Sequence, residues 1–256
     1  KDKILDNAYW RYSKVINEDE APSHTDFEIY NCIKNADTIQ KWQSCAMWLL
    51  MFGMRGLYNA DIVRLSETMV SEIRFNKEKK IDELFPKLNK DFLGDVYLDY
   101  RRSKESTIMV IRLFPEILTL IRYLKQSVIY THIDKKVGSK PIVLGMKDRL
   151  NIFNYDFTNY ENDHKQIFKQ RADKFKLMGS TGVRFKNARK SFYQIAESTF
   201  GHLDAKLLAG HTVGDVSKSY SAMRRADNVR RMEKQHREVL DKFKYDKLVT
   251  FLMKRL

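Results

Sequence analysis

Leu207-Leu208-Ala209-Gly210-His211-Thr212-Val213-Gly214-Asp215-Val216-Ser217-Lys218-Ser219-Tyr220 sets a histidine directly after Ala-Gly and a tyrosine nine positions further on. Alone, it fits a turn histidine and an ordinary half-buried phenol as well as a reactive pair. What lies around it narrows the chemistry. The six histidines, at 24, 132, 164, 202, 211 and 236, form no HExxH or paired ligand spacing. No GxGxxG or GxxxxGK[ST] loop occurs, so zinc hydrolysis and P-loop chemistry lose support.

The 256 residues include 47 Lys plus Arg against 33 Asp plus Glu, a net +14 on a chain that is 43% hydrophobic. That length and apolar content suffice for one large domain with a real core. The charge points to a polyanionic partner, nucleic acid before an anionic membrane. The longest apolar run, Cys45 to Met54, is about half of what crosses a bilayer, and no secretory signal opens the chain. Cys32 and Cys45 lack metal or CxxC spacing and read as reduced, half-buried thiols of an intracellular protein. The chain opens at Lys1 rather than Met, as expected of a piece of a longer protein.

Four prolines, ten glycines and no visible repeat give no long linker. Ile39, Trp42, Ala46, Leu49 and Leu50 recur at helical spacing and predict an amphipathic helix, packed in the core, ending near Gly53. Val96 to Tyr100 and Ile108 to Phe114 are β-branched and aromatic, parted by polar Arg101 to Thr107, which predicts a hairpin. Pro115 suits the first turn of a helix over Glu116 to Val128. Phe185, Ala188, Phe192, Ile195 and Thr199 mark another. Val229, Met232, Val239, Leu240, Phe243, Leu248, Phe251 and Leu252 make the end of the chain helical. The expected class is α+β, mostly α, with a small antiparallel sheet.

The stretch from Leu207 to Tyr220 resembles the C-terminal active-site box of the tyrosine recombinase (phage-type integrase) family, with Ala209 standing where the family has its second Leu. Phe185-Lys186-Asn187-Ala188-Arg189-Lys190-Ser191-Phe192 is similar to the family's His-x-x-Arg box, with Lys186 in the His position. Gly53-Met54-Arg55-Gly56-Leu57, followed by Asp61 and Leu65, resembles the segment of the first catalytic arginine. Tyr100-Arg101-Arg102-Ser103-Lys104-Glu105-Ser106 resembles the hairpin of the catalytic lysine, although the Thr-Gly that often follows that lysine is missing. The five motifs these stretches hold, Arg, Lys, [His/Lys]-x-x-Arg, His and Tyr, stand in family order over roughly residues 25 to 220. By this resemblance the fold would be the helical catalytic domain of the family, with Arg55, Lys104, Lys186, Arg189, His211 and Tyr220 as catalytic residues.

The chemistry suits these side chains. Attack on a DNA phosphodiester loads charge on the nonbridging oxygens, which two bidentate guanidiniums, Arg55 and Arg189, would clamp with help from His211. Tyr220, a phenol of pKa roughly 10, would need that cationic surround to lose its proton. Lys186 would contact the phosphate with a secondary proton role, and Lys104 would protonate the departing 5′-hydroxyl. The bond's energy is kept in a 3′-phosphotyrosyl link, so neither metal nor other cofactor is implied. Each residue also has a plainer reading. Arg55 would cap a helix dipole, Lys104 would be a solvated hairpin charge with Arg102 the next candidate, and Lys186 would be one surface lysine among many.

Arg101, Arg102, Arg184, Lys190, Lys218, Arg224 and Arg225 flank the boxes as candidate phosphate-backbone contacts. The implied partners are double-stranded DNA, further copies of the chain in a tetrameric synapse and an accessory DNA-bending protein, with no membrane. The implied setting is the cytoplasm of a bacterium serving a phage or mobile element. Residues 1–24 would be a linker or remnant of an N-terminal core-binding domain and 25–220 the catalytic domain. Residues 221–256 carry eleven Lys/Arg and five Asp/Glu. They would form a basic helical tail, either a solvated face or a segment exchanged between subunits. The rivals are a type IB topoisomerase-like nicking-closing enzyme and a noncatalytic DNA-binding protein of the same fold.

Overall fold

The computed structural model describes residues 23–62, 69–87, 94–101, 108–124, 185–211 and 224–255. In chain order the elements are α1 (Asp26–Lys34), α2 (Ile39–Gly53), α3 (Asn59–Ile62), β1 (Val70–Asn76), β2 (Ile81–Pro86), β3 (Tyr97–Arg101) and β4 (Ile108–Arg112). Then come α4 (115–124), α5 (Asn187–Phe200), α6 (His202–Leu208), α7 (Ala226–Lys242) and α8 (Tyr245–Met253). The described residues are mostly helical with one small antiparallel sheet, the coarse class expected. No helix among them is long and apolar enough to cross a membrane.

α2 is the hub. Thr38 caps it by accepting from the Lys41 N–H, and Trp42, Cys45, Ala46, Met47, Trp48, Leu49, Leu50, Met51 and Phe52 are all buried. It is the core helix its apolar spacing predicts, and being apolar all round in its later turns it lies inside the protein. α1, α5 and α8 pack on it. An aromatic cluster ties it down, with Phe52 stacked at 4.1 Å on Phe243 and edge-on at 5.7 Å to Phe192. Cys32 and Cys45 are likewise fully buried rather than half-buried, and burial pushes the Cys32 thiol up to about 11.

The sheet order is β2-β1-β3-β4, all neighbours antiparallel. The expected hairpin is β3–β4, in register from Tyr97 opposite Arg112 to Arg101 opposite Ile108. Alternation sends Leu98, Tyr100, Met109 and Ile111 into the main core. Tyr97 and Val110 turn to the other face, where they join Leu84 and Val229. The β1–β2 hairpin was not foreseen. Its turn is made of charged residues, held by the Asn76 side chain accepting from the Glu78 and Lys79 N–H groups.

The C-terminal helices are part of this core. Val229, Met232, His236, Val239, Leu240, Tyr245, Leu248, Val249 and Leu252 are buried. Trp42 Nε1 donates to the Leu252 carbonyl and the Tyr245 hydroxyl to the Leu49 carbonyl. Arg237 grips Glu116 with both Nη atoms, at 3.0 and 3.2 Å, and lies over the Phe114 ring. α7 and α8 thus pack on α1, α2, α5, α6 and the sheet. The apolar residues of each helix face inward and the lysines and arginines ring the outside.

Candidate functional site

Arg55 sits where α2 stops. The Gly56 N–H bonds the Met51 carbonyl at 2.9 Å past the C-cap Met54, and Arg55 between them has φ +57. Helices often close with such a left-handed residue, but it is usually glycine. An arginine there accepts roughly 1–2 kcal/mol of backbone strain. Its side chain is nevertheless 1% exposed. Its Nη1 lies 3.9 Å from Met232 Sδ on α7, and Nε has no hydrogen-bond partner. Burial presses its pKa down to about 9, with Glu233 opposing. A buried guanidinium met by only a thioether is short of an anion.

Gly56 brings the second arginine in. It has φ +69, and a Cβ there would lie 2.6 Å from Arg189 Cα, so the two backbones touch. Across this contact Arg189 Nη1 donates to the Gly56 carbonyl at 3.1 Å, while its guanidinium lies over the Tyr58 ring at 5.1 Å. Arg189 Nη2 faces His211 Nε2 at 2.9 Å. Arginine only donates, so this imidazole accepts through Nε2 and carries its proton on Nδ1. Tyr193 packs edge-on to the same imidazole at 5.9 Å. Segments 133 and 22 residues apart in sequence thus meet at one guanidinium.

The helix under Arg189 adds to the charge. α5 starts with Lys186 at the N-cap, no side-chain cap bond and no acidic residue in its first turn. Arg189 and Lys190 follow within that turn. Cations at the positive end of a helix dipole disfavour the helix alone and favour a bound anion. Lys186 is exposed and its ammonium makes no hydrogen bond or ion pair among the described residues, whereas Arg189 is 5% exposed. The two basic residues of this box therefore diverge: Arg189 turns inward to Arg55's segment and Lys186 outward.

The hairpin approaches the same region. Gly210, φ +68, closes against the Met109 side chain of β4. The Tyr100 hydroxyl donates to buried Asp61 Oδ1 at 2.7 Å, joining β3 to α3 just past Arg55. Lys104 and Arg102 fall in the stretch between Arg101 and Ile108, outside the described residues, as do Arg184, Lys218 and Tyr220. Arg101 ends β3. Arg224 is half-buried, its guanidinium 3.2 Å from Asp99 and its side chain 22% exposed. Arg225 is exposed and bridges to Glu83 through its main chain. Lys190 is half-buried.

Several residues of this site were not singled out by sequence: Gly56, Tyr58 and, on α7, Met232, Glu233 and His236. Glu233 accepts from the Tyr97 hydroxyl at 2.8 Å and lies 3.6 Å from Arg112 Nε. Only Gly56 carried a local signal, a glycine directly after a helix-ending arginine. No protein-family model, no curated protein and no solved structure matches this chain.

Proposed function

We propose that the chain is the catalytic domain of a site-specific DNA recombinase of the tyrosine recombinase type, working in the cytoplasm on double-stranded DNA within a multimer of its own copies. The observation that carries this is the junction at Arg189, whose two Nη atoms join the Gly56 carbonyl beside Arg55 to His211. By the resemblance these three boxes serve one phosphate. Two nearly buried guanidiniums, an imidazole and an uncapped helix start make an anion site, and +14 suits a nucleic-acid backbone.

In this function Tyr220 Oη attacks the scissile phosphorus and passes its proton to water with Lys186 assisting, while the 5′-oxygen leaves and takes a proton from Lys104. Arg55 and Arg189 neutralise the nonbridging oxygens, and His211 turns a ring N–H to the same oxygens. The phosphotyrosyl link is resealed by a 5′-hydroxyl attacking back, with no net bond energy lost. Lys186, exposed at the helix start, contacts phosphate.

A pool of nicked suicide duplexes of random sequence tests this. The wild type should trap a denaturant-stable protein–DNA adduct that Tyr220→Phe does not form. Salt-reversible binding equal in both, with no adduct, would instead make the protein a noncatalytic DNA binder. Exchange between two duplexes, as opposed to relaxation of supercoils alone, separates recombinase from topoisomerase.

A further inference from the structure

The inner face of α7 carries a group that this chemistry does not use. His236 is 0% exposed, framed by the Phe114 and Phe192 rings at 5.2 and 5.8 Å, and among the described residues neither ring nitrogen meets full hydrogen-bond geometry with a partner. One turn earlier on the same face, Met232 Sδ touches Arg55 Nη1, and Arg55 Nε is also buried without a partner. Such orphans are rare in folded proteins and point to a state in which they pair.

The charges around the imidazole fix its form. Burial first, then the Arg55 and Arg237 guanidiniums, hold His236 well below its ordinary value, with only the Gly53 main chain opposing. Glu233 acts on Arg55, and Glu116 and Asp241 hold Arg237. His236 is therefore neutral, with one N–H and one lone pair. The N–H has the Gly53 carbonyl on its side, one of the last-turn carbonyls of α2 that lacks a helical partner. That leaves a lone pair within electrostatic reach of Arg55, whose buried Nε–H has no partner among the described residues.

We propose that His236 is the positioning residue of Arg55, its lone pair taking the Arg55 Nε–H so that both Nη groups point at a phosphate. The inference rests on Arg55 clamping phosphate. A guanidinium left free at Nε meets phosphate either end-on through both Nη groups or side-on through Nε and one Nη. Holding Nε selects the first. α7, which follows the Tyr220 box, thereby orients the arginine of the first box.

The test has two arms on the full chain. In the first, 15N-labelled wild type is saturated with inorganic phosphate. A coupling across the hydrogen bond between Arg55 Nε–H and a His236 ring nitrogen is expected, and its absence overturns the pair. In the second, adduct formation on the nicked duplex pool is timed. His236→Leu should bind duplex as wild type does and react about tenfold to a hundredfold more slowly, as misoriented clamps do. His236→Gln, whose side-chain oxygen can accept the same bond, should recover most of that loss. Wild-type rate in His236→Leu overturns the proposal. If the wild type forms no adduct, the recombinase assignment falls and the coupling alone decides the pair. If His236→Leu does not fold, His236→Gln and the coupling decide it.

Discussion

Replacing Gly56 with alanine attacks the contact on which the site is built. Two effects add. The left-handed backbone, φ +69, disfavours a Cβ by roughly 1–2 kcal/mol. The new methyl would also lie 2.6 Å from Arg189 Cα and 3.0 Å from Arg189 Cβ. Those are backbone-near atoms of a helix and cannot swing aside, so overpacking adds about 1–3 kcal/mol. Gly94 supplies the control: φ is +74, but nothing lies within 4 Å of its added Cβ. Both replacements share the gain from stiffening the unfolded chain, which cancels in the comparison. Gly56→Ala should therefore be less stable than Gly94→Ala by about 1–3 kcal/mol, read from urea midpoints at equal slope. In melting temperature the gap is on the order of 2–4 °C per kcal/mol for a domain of this size. Adduct formation should fall in Gly56→Ala and not in Gly94→Ala. Equal midpoints for the two would mean that the Arg55 and Arg189 segments do not touch.

Arg189→Lys keeps the charge but cannot serve both the Gly56 carbonyl and His211, so it should lose about 1–3 kcal/mol in urea and roughly a hundredfold or more in adduct rate. Tyr100→Phe removes the donor to buried Asp61 and should cost about 1–3 kcal/mol by the same assay, with the adduct rate reporting whether β3 registers the hairpin on the site. Acid should destabilise the protein through His236. The unfolded chain binds a proton near pH 6.5 that the folded chain refuses, so stability is lost as pH falls below about 6.5, at up to about 1.4 kcal/mol per unit. His24, also lowered, by burial against the pull of Glu28, adds in the same direction. His236→Gln should flatten the slope of urea midpoint against pH by about one proton.

Much of the architecture was legible because it is local. The apolar spacing of Ile39 to Leu50 set α2 and the Phe185 to Thr199 spacing set α5, and the helices end three residues and one residue past where the patterns stop. The β3–β4 hairpin followed from its β-branched runs. What escaped was partnership. Periodicity told that Val229, Met232 and Val239 share a helix face but not what the face meets, and the basic surface of that helix argued for an appendage. The β1–β2 hairpin was hidden by Lys77-Glu78-Lys79-Lys80, which lacks the glycine of the commonest two-residue turns and relies on Asn76 instead. At the site, residue types and order named Arg55, Arg189 and His211. The Gly56 contact and the neutral His236 are products of packing between elements far apart in the chain, which no local pattern records.

The central claim is that the chain breaks DNA through one phenol. Digesting the trapped adduct with protease and nuclease and sequencing the nucleotide-bearing peptide by mass spectrometry tests it most directly. The account requires the nucleotide on Tyr220 through a 3′-phosphate link, with Arg55→Ala and Arg189→Ala yielding none of that peptide. A nucleotide on any other residue, or no modified peptide from a chain that binds the duplex, would contradict it.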